Sequence, residues 1–95
     1  MSNKEKVYKL SKELRRNEFS FIIPGLYNLE DINSMVKLEF KELCIDDYKC
    51  FNNCVNGSKS SPEWKHVIRN VLNDNRFSKN SRVIKMKERG VWKFL

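Results

Sequence analysis

Apolar residues recur at helical spacing in three places along the chain. From residue 62 to about residue 75, Trp64, Val67, Ile68, Val71 and Leu72 fall at i, i+3, i+4, i+7 and i+8, one stripe down one face of a helix. Ser61 offers a hydroxyl to the free first-turn amides, and Pro62 suits the first helical position, where no amide hydrogen is needed. Residues 4–16 repeat the pattern, setting Val7, Leu10, Leu14 and Tyr8 against lysines and arginines. The third stripe is Ile32, Met35, Val36 and Leu43, flanked by Leu29 and Phe40. Asn28 is its expected N-cap, with Glu30 and Asp31 in the first turn, where the helix dipole favours negative charge.

Two regions read as strand. Residues 19–23, Phe-Ser-Phe-Ile-Ile, have strand-forming composition and stop at Pro24 and Gly25, a turn signal. The C-terminal residues read as strands 82–86 and 91–95 joined by a turn at 87–90, where Gly90 can take the positive φ that such loops require. Val91, Trp92 and Phe94 do not alternate cleanly with polar residues, so both faces of this hairpin are expected to be partly covered. Trp64, Ile68, Leu72, Trp92, Ile32 and Val36 combine large apolar area with consistent periodicity and should form the core. The expected fold class is α+β, a winged helix-turn-helix of three helices with a C-terminal β-hairpin wing, in a single domain spanning residues 1–95.

Charge sharpens this picture. The net charge is +7 over 95 residues. Residues 62–95 carry nine Lys/Arg against three acids, and residues 1–16 carry six against two, whereas residues 17–61 are net acidic. Cations concentrated on one helix and the hairpin suit a polyanion-binding face. The polar side of helix 62–75 holds Lys65, His66, Arg69, Asn70 and Asn73. Lysine and arginine neutralise phosphates or bind guanine edges, and asparagine pairs bidentately with adenine in a groove wide enough for a helix. Arg82, Lys85, Lys87, Arg89 and Lys93 make the hairpin basic. These ten residues are the expected DNA contacts.

The pattern Trp64-x-x-x-Ile68-Arg69-x-x-Leu72-x-x-Asn75, then Phe77, then Gly90-x-Trp92, resembles the forkhead DNA-binding domain. It is also similar to winged helices attached to microbial restriction enzymes. The resemblance implies a recognition helix in the major groove, with Arg69 at the place of the family's own arginine and Asn73 where a phosphate-contacting serine usually lies. The family's base-reading asparagine and histidine lie two and six residues after the tryptophan. Here those places hold His66 and Asn70, so the two residue types are exchanged and base preference does not carry over. The Asn75 to Phe77 spacing is one residue short, and the family's second wing has no counterpart up to Leu95.

Other chemistry is weakly supported. Cys44, Cys50 and Cys54, with His66, lack the paired spacing of a structural zinc site, so no metal and no cofactor are expected. Glu42, Asp46 and Asp47, with Lys49 two residues beyond Asp47, outline a nuclease-like set only within one short loop. The single histidine leaves no evident base for a serine or cysteine nucleophile, and the isolated glycines form no phosphate-cradling loop. No enzyme activity is expected. Three cysteines and no apolar leader or spanning segment point to an intracellular protein with reduced thiols and no membrane partner. The expected function is binding of double-stranded DNA in transcriptional or other DNA-transaction control. Two alternatives stay open: a small winged-helix protein of phage type that modulates a polymerase, nuclease or defence complex, and the DNA-reading component of a restriction system.

Overall fold

The computed structural model describes residues 1–49 and 61–95. The first helix, α1 (Asn3–Asn17), opens with a capping box in which Ser2 Oγ accepts from the Glu5 amide at 3.1 Å and Glu5 Oε1 accepts from the Ser2 amide at 3.3 Å. These bonds satisfy donors that no carbonyl of the helix can reach. Leu10 and Leu14 are buried, Val7 packs at the edge of the core, and Tyr8 stays exposed with Lys12 Nζ 4.7 Å from its ring centroid.

Residues 19–23 turn instead of extending as a strand. Glu18 and Phe19 both adopt positive φ, 52° and 55°, a conformation that costs free energy in residues with a Cβ. Burial offsets that cost: the Phe19 ring is fully enclosed and meets Phe77 and Phe94 edge to face at 5.9 and 5.8 Å. The Ser20 and Ile22 amides donate back to Asn17 and Phe19 carbonyls, which closes the turn. The aromatic and β-branched residues that suggest a strand are used here for packing. The strand itself, β1 (Gly25–Asn28), begins after Pro24.

Asn28 then caps α2 (Leu29–Glu39), as expected, its Oδ1 accepting from the Asp31 amide at 2.8 Å. Ile32 and Val36 are buried, and Leu29, Met35, Phe40 and Leu43 pack around them.

The next helix, α3 (Glu63–Leu72), is shorter than expected and is not capped by Ser61. Pro62 holds the cap position without a side-chain bond, and the Glu63 amide instead donates to the Tyr48 carbonyl at 2.8 Å. A bridge between Lys49 and Pro62 fixes this entry. The helix stops at Leu72 because Asn73, Asp74 and Asn75 are weak helix formers and Asp74 is a good cap. Its carboxylate accepts from the Arg76 amide at 2.9 Å and starts a fourth helix, α4 (Asn75–Lys79), which buries Phe77.

The expected hairpin is present as β2 (Val83–Lys85) and β3 (Val91–Phe94). Gly90 has φ 78°, with open space where a Cβ would stand, so the dihedral and not crowding calls for glycine. The sheet is antiparallel with strand order β1-β3-β2; Val83, Ile84 and Lys85 oppose Phe94, Lys93 and Trp92, and Gly25, Leu26, Tyr27 and Asn28 oppose Phe94, Lys93, Trp92 and Val91. Contrary to expectation, β3 does alternate. Trp92 and Phe94 point into the core and Lys93 points out, so one sheet face is packed and the other open. Trp64, Ile68, Leu72, Trp92, Ile32 and Val36 are all buried in one cluster. The described residues thus form an α+β domain of four helices and a three-stranded antiparallel sheet. Among them no helix is long and apolar enough to cross a membrane. Cys50 and Cys54 lie outside the described residues.

Candidate nucleic-acid interface

The outward face of α3 follows from its buried one. Trp64, Ile68, Val71 and Leu72 are fixed in the core, so Lys65, Arg69 and Asn70 on the helix and Asn73 at its end are exposed. Lys65 Nζ sits 5.6 Å from the Trp64 ring centroid, a cation–π contact that places the ammonium at the helix N-terminal end. His66 departs from expectation. It is half-buried, and its Nε2 is closed off from solvent with no hydrogen-bond partner among the described residues, so that atom is not offered to a base edge.

Asp46 locks α3 to α2. Its Oδ1 accepts from Trp64 Nε1 at 3.0 Å and its Oδ2 from Lys37 Nζ at 3.0 Å, while Lys37 also donates to the Cys44 carbonyl at 2.7 Å. The Trp64 hydrogen bond, then the Lys37 one, hold the Asp46 carboxyl below the usual carboxylate range. Asp46, one of the nuclease-like set, therefore braces α3. Among the described residues no three His, Cys, Asp or Glu side chains converge on a metal position. Cys44 is buried, and desolvation pushes its thiol up to about 11, which keeps it protonated and unreactive at neutral pH.

The far end of α3 is tied down by an ion pair between Arg15 on α1 and Asp74 at the α3–α4 junction. Arg15, then the Arg76 amide, hold the Asp74 carboxyl below its usual range. With both ends fixed, α3 presents its polar face on a rigid base.

In the hairpin, Lys85, Lys87 and Arg89 are exposed at and near the tip. Two of the expected contacts are placed elsewhere. Arg82 Nε and Nη2 donate to the Leu95 carbonyl at 2.9 and 2.7 Å, and Nη1 donates to the carbonyls of Phe19 and Ile22 at 3.0 and 2.7 Å. Its backbone amide donates to Glu18 Oε1 at 3.0 Å. This guanidinium is an internal clamp, not a free phosphate ligand. Lys93 is exposed but stands on the open sheet face between Leu26 and Ile84, whereas α3 shares the core with the packed face.

Two cations absent from the expected set, Arg76 and Lys79, are exposed on α4 between α3 and the hairpin. The signal for them was the Asn-Asp-Asn run, which reads as a helix end followed by a new cap. The basic face has an acidic border: a groove of about 760 Å³ between α2 and α3 is lined by Glu30, Asp31 and Asp46 beside Lys37, Lys65 and Trp64. Comparison of the chain with family models, curated proteins and solved structures finds no match.

Proposed function

We propose that the chain is a winged-helix domain that binds duplex DNA, with α3 in the major groove and the tip of the β2–β3 hairpin on the phosphate backbone. The observation that carries this reading is the pairing of a core-anchored helix with exposed Lys65, Arg69, Asn70 and Asn73 and a hairpin with exposed Lys85, Lys87 and Arg89. The element order α1-β1-α2-α3-α4-β2-β3 and the sheet order β1-β3-β2 are compatible with a winged helix. Arg69 and the hairpin cations neutralise phosphates, and Asn70 reads a base edge. Arg76 and Lys79 add backbone contacts from α4. This is a binding module and not a catalyst, and its use is control of transcription or another DNA transaction inside the cell.

The test is duplex binding as a function of salt. Counterion release makes the logarithm of affinity fall by about 0.9 per neutralised phosphate for each logarithm of salt. Contacts from Lys65, Arg69, Arg76, Lys79, Lys85, Lys87 and Arg89 therefore predict a slope of roughly −6. A slope near zero on random and selected duplexes alike would overturn the proposal.

A further inference from the structure

The open face of the sheet carries several exposed aliphatic residues. An antiparallel sheet packed on one side normally carries polar residues on the other. Here the outward positions form rows across the strands: Leu26, Lys93 and Ile84 in one, Asn28, Val91 and Met86 in the next, with Leu95 beside Arg82 at the far end. Leu26 is 62% exposed, Ile84 41% and Leu95 56%. No described helix covers them, since the helices and the inward residues Val83, Trp92 and Phe94 share the core on the opposite side. Exposed aliphatic residues grouped on one unpartnered sheet face set it apart from an ordinary polar outer face.

Its size and charge select the occupant. Three strands spaced by about 4.8 Å, each of about four residues at about 3.4 Å, give a face of roughly 200 Å². A stable dimer buries about 800 Å² on each partner, so the face is too small to hold two copies together. A twofold pairing through its centre would also set Lys93 against Lys93, a like-charge contact that opposes association. Beside Lys93 lies a depression of about 330 Å³ lined by Leu26, Met86 and Val91 and by Lys85, Lys87 and Glu88. Aliphatic ground with lysines at its centre and rim complements aliphatic side chains alternating with carboxylates. We propose that the outward face of the sheet docks an acidic amphipathic segment of a partner protein, with Leu26, Ile84 and Val91 as apolar floor and Lys93 as the central charge contact. The apolar floor and Lys93 lie outside the face assigned to the duplex, whereas Lys85 and Lys87 at the rim belong to the wing as well.

The experiment titrates the full chain with a synthetic helical peptide bearing leucine on one face and glutamate on the other. A lysine-for-glutamate version and a composition-matched scramble serve as controls, and backbone amide shifts report the site. The acidic peptide should shift the amides of Leu26, Ile84, Val91 and Lys93. The outward double variant Leu26→Ser/Ile84→Ser should abolish that binding while leaving the thermal melt and duplex binding unchanged. Lys93→Glu should weaken the acidic peptide about ten-fold or more and favour the basic one, as expected when a complementary charge is reversed. Equal binding of acidic and basic peptides, shifts confined to α3, or no binding would each overturn the proposal. So would a concentration-dependent dimer in sedimentation that the double variant abolishes, since that would assign the face to a second copy.

Discussion

Arg82 and Phe19 are 63 residues apart in the chain, yet the Arg82 guanidinium donates to the Phe19 carbonyl at 3.0 Å. The same side chain reaches the Ile22 and Leu95 carbonyls, so it joins the turn after α1 to the end of β3. It also holds in place a turn whose Glu18 and Phe19 have positive φ. Bonds to a charged donor contribute about 1.5–3 kcal/mol each in mutational terms, though part of that is lost where water can replace the partner. Arg82→Ala should destabilise the fold by about 2–3 kcal/mol. Arg82→Lys should recover little of this, because an ammonium cannot reproduce the planar fork. Urea titration reads both, and a variant as stable as the parent chain would remove the clamp from the account.

The hairpin tip behaves differently. Replacing Lys85, Lys87 and Arg89 with alanine should weaken binding to all duplexes about equally and flatten the salt slope by about 2.7, because phosphate contacts carry charge and little sequence information. Stability should hardly change, since all three side chains are exposed. A changed preference among sequences with an unchanged slope would show that the wing reads bases.

Local signals made much of the fold legible. The Asn28 cap, the stripes on α1, α2 and α3, and the glycine-closed hairpin each depend on residues a few positions apart. What was missed depends on distant partners. Residues 19–23 look like a strand until Phe77 and Phe94 make a socket for Phe19. Arg82 reads as one more wing cation until its carbonyl partners come from the turn after α1 and from Leu95. Periodicity puts His66 on the polar side of α3, and neighbours invisible to a helical wheel leave its Nε2 enclosed. Of the candidate site, the α3 cations and the hairpin tip were legible, while Arg76 and Lys79 were hidden in what looked like a linker.

Ile68 and Leu72 are buried on the stripe that fixes α3. Truncating either to alanine should cost about 2–5 kcal/mol, the sum of lost transfer free energy and an imperfectly collapsed cavity. Thermal melts of the single variants measure it, and two unchanged melts would contradict the packing of α3.

Asp46 gives a pH dependence with a defined sign. Its folded-state carboxyl lies below the usual 3.8, mainly through the Trp64 hydrogen bond. A depressed carboxyl contributes stability that is present above the unfolded-state value and is lost as pH falls through the folded one. The contribution should therefore be intact at pH 7 and be lost progressively as pH falls below about 4. Asp46→Asn keeps an oxygen for Trp64 Nε1 but has no charge for Lys37, so it should lower stability at pH 7 and make it less sensitive to acid. Denaturant titrations at pH 7 and pH 3 test this, and an equal loss at both would show that Asp46 acts by shape alone.

Asn70 and His66 lie one helical turn apart on α3, and the structure separates their roles. Asn70 is exposed, while the Nε2 of His66 is enclosed and without a partner among the described residues. A side-chain amide can accept from adenine N6 and donate to N7 at once, which discriminates that base from the other three. Asn70→Ala should then cost roughly 1–3 kcal/mol on a selected site and much less on random duplex. His66→Ala should leave the ratio between selected and random duplex nearly unchanged, because its Nε2 does not reach solvent. Arg69→Ala supplies the third arm: a loss shared by both duplexes places it on phosphate, and a loss on the selected site alone places it on guanine. Equal losses for Asn70→Ala on both duplexes, or none on either, would mean that α3 does not read sequence, whatever the hairpin contributes to affinity.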